Sequence, residues 1–182
     1  MKKLTFYNYI ALGIVIIFLS LLFAGGVRAE QPAGSFYLGV GHHSGTYSED
    51  GFPDVDFTGP KFEAGVYLVE DHLALEINYL VAQGNYWIID FTGEALSLFL
   101  KPELPFAEGK GRVFGLVGFT KLSLIAKVFG YSVSMDEDSL SYGVGVELSP
   151  AENLRLGVEG IVYANEIDWD YSGVNFTINI LF

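Results

Sequence analysis

Beyond residue 29, the apolar residues of this 182-residue chain come in short alternating runs, none of them long enough for a membrane-crossing helix. Hydrophobic residues nonetheless make up 51% of the sequence. Successive side chains of a strand point to opposite faces, so this period-two pattern predicts β-sheet with one apolar face. The last nine residues show it most clearly, reading V-N-F-T-I-N-I-L-F. Val174, Phe176, Ile178, Ile180 and Phe182 point one way; Asn175, Thr177, Asn179 and Leu181 point the other. One face suits lipid and the other is mostly polar.

The same alternation predicts eight strands. They fall at residues 35–41, 62–69, 73–81, 93–101, 112–125, 140–148, 154–163 and 174–182. Four linkers are long and rich in Gly, Ser, Asp or Pro: 42–60, 82–92, a third within 127–138, and 164–173. The third is read with its tip at residues 135–138, with a turn at Phe129-Gly130 and a longer sixth strand as the alternative. Of the linkers between them, 70–72 and 149–153 are short, and 102–111 is longer than a tight turn. In the middle one Pro102 and Pro105 cannot donate to a ladder, so pairing is expected to lapse from Pro102 to Gly111. In the fifth strand both faces are apolar, and Gly115, Gly118 and Lys121 leave its facing open.

Ahead of the strands, Lys2 and Lys3 precede an apolar run over 10–23, small residues, and Arg28-Ala29. That is the layout of a secretory signal peptide cleaved after Ala29, with an uncleaved anchor helix as the alternative. Removal of 29 residues leaves 153, a single domain over 30–182. Loss of Lys2, Lys3 and Arg28 takes the formal charge from −12 to −15, which excludes nucleic-acid binding by basic clusters. The chain has no cysteine, so neither a disulfide nor a lipoprotein anchor is available.

An even number of strands brings both chain ends to one side, and all four long linkers fall on the other. That spacing, the Phe terminus, and segments such as Val69-Glu70-Asp71-His72-Leu73 and Ala151-Glu152-Asn153-Leu154 resemble the small eight-stranded outer-membrane β-barrels, the OmpA-like transmembrane domains and opacity-type proteins. The resemblance implies an all-β, antiparallel up-and-down barrel in a Gram-negative outer membrane, with short turns in the periplasm. It implies a non-enzymatic structural or surface-interaction role, a narrow porin-like channel being the alternative and a lipid-modifying enzyme a third reading. No cofactor is expected. The implied partners are outer-membrane lipid and lipopolysaccharide, and during assembly periplasmic chaperones and the barrel assembly machinery, with the barrel a monomer. The row Phe176, Ile178, Ile180 and Phe182 would be the assembly signal. No peptidoglycan-binding domain follows the barrel, so a cell-wall anchoring role is not carried over.

Three sets of residues are candidates for chemistry. Glu63, Glu76, Lys101, Glu147, Arg155 and Glu159 fall on inward faces, with Lys121 as a further member. Eight-stranded barrels are just wide enough for side chains to fill, so these residues are read as an ion network that plugs the lumen, or as a proton or ion path. Arg155 should contact at least one Glu. The D-x-D pairs Asp54/Asp56, Asp136/Asp138 and Asp168/Asp170 offer oxygen ligands for a hard cation that could bridge to lipopolysaccharide phosphates, or form a solvated surface. His42-His43-Ser44 invites comparison with lipid A deacylase barrels, but His43 and Ser44 should point to opposite faces. Tyr86, Trp87, Trp169 and Tyr171 are read as a membrane-interface belt.

Overall fold

A computed structural model of the chain describes residues 32–129 and 131–182. The leader over 1–29 lies outside the described residues. The rest is one antiparallel sheet closed on itself: β1 (Phe36–Glu49), β2 (Phe52–Val69), β3 (Leu73–Tyr86), β4 (Ile89–Phe106), β5 (Gly111–Val128), β6 (Tyr131–Ala151), β7 (Leu154–Asn165) and β8 (Trp169–Leu181). Each strand pairs with the next, and β8 closes on β1 with Tyr37 opposite Leu181 and Glu49 opposite Trp169. Phe182 continues the seam, exchanging backbone hydrogen bonds with Phe36 while the two rings stack at 5.0 Å.

The alternation of the sequence sets which side chains fill the lumen. On β8, Asn175, Thr177, Asn179 and Leu181 are buried inside, and Val174, Phe176, Ile178, Ile180 and Phe182 are exposed outside. With Leu38, Ile77, Leu98, Val117, Tyr142 and their outward neighbours they make an apolar band that faces lipid. Ladder hydrogen bonds satisfy the backbone within that band, as a hydrocarbon environment demands.

Four expectations are corrected. The long linkers are not loops: β1 and β2 run on to a turn at Asp50-Gly51, β3 and β4 to Trp87-Ile88, β5 and β6 to a turn between Val128 and Tyr131, and β7 and β8 leave only residues 166–168 between them. In the first of these the polar residues alternate with inward apolar ones, as Val55 and Phe57 do among Asp54, Asp56 and Thr58. Cross-strand pairing therefore carries Gly- and Asp-rich sequence beyond the membrane as ribbon. The third turn falls between Val128 and Tyr131, as in the alternative reading, rather than at residues 135–138.

The proline segment also stays in the sheet. β4 reaches Phe106, a 3-10 turn spans Ala107–Gly109, and Pro105 lies opposite Arg112. The β4–β5 ladder omits only Lys101 and Pro102 and resumes in the same register at Glu103, while Pro102 stays opposite Leu73 on the other side. A missing N–H interrupts one ladder locally without ending the strand. Pro60 behaves alike: Gly59 and Pro60 have no partner on β3, and pairing continues at Lys61.

Finally, the facing of β5 is settled by Arg112, Phe114, Leu116, Thr120, Leu122 and Leu124, all buried. Lys121 has the opposite parity and is exposed on the outer wall between Leu96 and Asp138, so it is not a lumen residue.

Candidate functional site

The lumen is built in layers. At the end where Phe36 meets Phe182, Arg112 donates to Asp71 Oδ1 at 2.5 Å and to Glu103 at 3.2 Å, and Tyr67 donates to both oxygens of Glu103 at 2.9 and 3.0 Å. Arg155 donates to the Tyr67 hydroxyl and to Glu147 at 3.3 Å, with Glu103 3.7 Å away. One turn of the barrel wall further out, Lys101 donates to Glu147 at 2.7 Å and Glu76 at 3.0 Å, and Tyr37 donates to Glu76. At mid-height Lys61 donates to Glu63 at 2.6 Å and to Glu159. Asn175 adds a bond to Glu159 at 3.0 Å.

Every one of these charged groups except Asp71 is almost wholly buried, so each needs its partner. Glycines make the room: a Cβ on Gly39 would overlap Asn179 and Glu63, and one on Gly65 would overlap the Tyr37 ring.

The six inward residues read from the sequence are all in this chain of contacts, in two groups around Lys101 and Lys61. Lys61, Glu103, Arg112, Asp71, Tyr37 and Tyr67 are further members. Lys61 ends a stretch that reads as loop, and Glu103 sits between two prolines, so neither stands out in the sequence. Parity could have found both, since Lys61 is two residues from Glu63, and Glu103 two from Lys101.

Above the ions the lumen turns aromatic and apolar. His43 is fully buried, its Nδ1–H donating to Asn175 Oδ1 at 2.8 Å and its Nε2 accepting from Tyr171 at 2.7 Å. Ser44 lies on the outer wall. Tyr171, Tyr163, Phe57, Leu80, Leu122 and Ile161 pack across the whole section. The interface-belt reading is thereby corrected. Tyr171 is inside, Trp169 lies over Tyr47 with ring centroids 5.7 Å apart, Tyr86 packs on Phe52 at the mouth, and Trp87 projects from a turn tip. Strands that overshoot the band carry these rings past it.

The D-x-D pairs do not come together. Asp54, Asp168 and Asp170 line one cavity at the mouth; Asp56 lines another on the outer wall and accepts from Thr46 at 3.0 Å; Asp136 and Asp138 face outward on β6. Among the described residues, three carboxylates able to share one ion occur in the lumen, at Glu63, Glu76 and Glu159. There the Lys61 ammonium already spans Glu63 and Glu159.

Solved structures share this architecture. Ail of Yersinia pestis superposes with a TM-score of 0.66 at 18% identity, over 82% of this chain and 99% of that one. Neisserial surface protein A gives 0.68 at 12%, over 81% and 97%, and OprG of Pseudomonas aeruginosa 0.57 at 11%, over 84% and 97%. At such identities the likeness is one of fold. No curated protein matches the chain in sequence. The family model of the outer membrane protein beta-barrel domain matches residues 15–179. The closed eight-stranded barrel and that match over most of its length make the chain a member of the outer-membrane β-barrel family, a protein of the outer membrane.

Proposed function

We propose that this protein is a closed, non-enzymatic barrel that works through its acidic outer face, meeting cationic groups at the cell surface or bridging to lipopolysaccharide phosphates through divalent cations. The observation that carries this reading is the charge of the outer ribbons. Glu49, Asp50, Asp54, Glu166, Asp168 and Asp170 gather around one side of the mouth with no basic residue among the cavity's lining. Ail has been solved in complex with the heparin analogue sucrose octasulfate. A sulfated ligand of that kind does not suit this mouth, where like charge would repel it. The lumen supports a structural role for Glu63, Glu76, Lys101, Glu147, Arg155 and Glu159, whose charges are met within the barrel. Both nitrogens of His43 are engaged and Ser44 faces away, which speaks against nucleophilic catalysis. The row Phe176, Ile178, Ile180 and Phe182 is offered as the signal read by the assembly machinery.

Vesicles carrying the protein are expected to bind polylysine-coated beads, to lose that binding as salt rises, and to lose most of it when Asp54, Asp168 and Asp170 are changed to Asn. Equal binding by the triple variant overturns the reading.

A narrow channel is the second reading. It is favoured by the buried Asn78 amide and Glu76 Oε1, which find no partner among the described residues and suit water. In a planar bilayer the closed barrel and its Arg155→Ala variant should both be silent. Steady conductance that changes with the variant would instead establish the channel.

A further inference from the structure

The ribbons that project beyond the apolar band enclose a second kind of surface. Inward residues of β1, β2, β4, β5 and β6 line a cavity of about 290 Å³ open to the outside, walled by Phe57, Phe91, Leu124, Val133 and Met135. Its floor is the aromatic layer that closes the lumen, with Phe57 packed edge-on against Phe91 and Tyr171. The cavity is almost entirely apolar, and its charged member is Glu49, which accepts a hydrogen bond from Tyr47 at 2.9 Å. Glu49 also lines the adjoining acidic cavity of about 230 Å³. Glu49 therefore lines both the apolar cup and a basin of carboxylates, in which Ser48 and Asp170, of opposite parity to Tyr47 and Tyr171, lie on the outer face of the ribbon.

We propose that this cup binds a small amphiphilic amine, its ring system or short alkyl body among the apolar walls and its ammonium beside Glu49. Volume and charge both select for this class. A cavity of 150 Å³ holds benzene, so the cup has room for about a two-ring body. An apolar body gains by leaving water, and a cation gains from the field of Glu49, Asp50, Asp54, Glu166, Asp168 and Asp170, whereas an anion of the same shape is rejected by it. Strands rather than loops form the walls, so the cup is held open before binding. The inference deepens the acidic-face reading by naming a ligand class and a place for it.

Met135 supplies the test. The sequence holds two methionines, Met1 and Met135, so a ¹³C-methyl methionine label reports on the cup wall, and a Met135→Leu variant assigns the signal. In phosphatidylcholine nanodiscs, 1-naphthylmethylammonium is expected to shift the Met135 methyl resonance saturably. Glu49→Gln should weaken binding about tenfold. Val133→Trp, at an exposed wall position outside the membrane, should fill the cup and abolish the shift. Neither 1-naphthoate nor spermine should move the signal, since the first has the wrong charge and the second no apolar body. A Met135 methyl unmoved by the ammonium in folded protein, an equal response to the naphthoate, or binding that survives Val133→Trp would each overturn the proposal. Bead binding by the vesicles is independent of this signal, so failure of the cup leaves the acidic-face reading standing, and the reverse.

Discussion

At the scale of single residues, the lumen is governed by the cost of an unpaired charge. Lys61 on β2 bridges Glu63 of its own strand and Glu159 of β7, and all three are buried. Replacing Lys61 by Met leaves two carboxylates facing each other with no counter-ion. Loss of one partner from a buried pair costs about 3–5 kcal/mol. Lys61→Met is therefore expected to lower the urea midpoint of the refolded barrel markedly. The triple variant with Glu63→Gln and Glu159→Gln should recover much of the loss, because the charges are then gone altogether. Equal stability of Lys61→Met and the parent protein would mean that the network contributes nothing to holding the barrel closed.

At the scale of elements, parity decides what a residue does. Lys121 and Thr120 are neighbours in β5, yet Thr120 is buried against Ser97 at 2.7 Å and Ser141 at 2.6 Å, and Lys121 stands on the wall outside. Exposed wall positions tolerate change, so Lys121→Ala should alter stability by no more than about 0.5 kcal/mol. Lys101→Ala, one strand away and inward, should be far more damaging in the same denaturation experiment. This contrast was not legible in the sequence, because a strand flanked by lipid on one side and an aromatic layer on the other is apolar on both faces. The strand ends were hidden for a related reason. Ribbons such as Thr46 to Thr58 are rich in turn-forming residues, and only the partner strand across the ladder holds them extended.

At the scale of the whole molecule, closure depends on the β1–β8 seam, and the chain's last residue takes part in it. Phe182 bonds through its backbone to Phe36 and stacks on its ring. Deleting Phe182 removes those contacts along with the terminal member of the lipid-facing row. The folded fraction in the outer membrane, read by heat-modifiable gel mobility, is expected to fall. Assembly at normal levels without Phe182 would show that the row is not read as a signal at its last position.

The sequence by itself determined the number of strands, their order, and the face each long alternating segment turns to lipid. These follow from period-two patterning and from parity, which need no knowledge of neighbours. It also placed Glu63, Glu76, Lys101, Glu147, Arg155 and Glu159 inward. Only the tertiary structure decided how far the strands run past the membrane, which face Lys121 takes, and which partners Lys61, Glu103 and Arg112 meet across the lumen. The same holds for the cup beside the acidic basin, whose walls come from five strands and whose shared member, Glu49, lies in a stretch that reads as loop. Such features depend on register between strands distant in sequence, and register is set by the closed ladder as a whole rather than by any one segment.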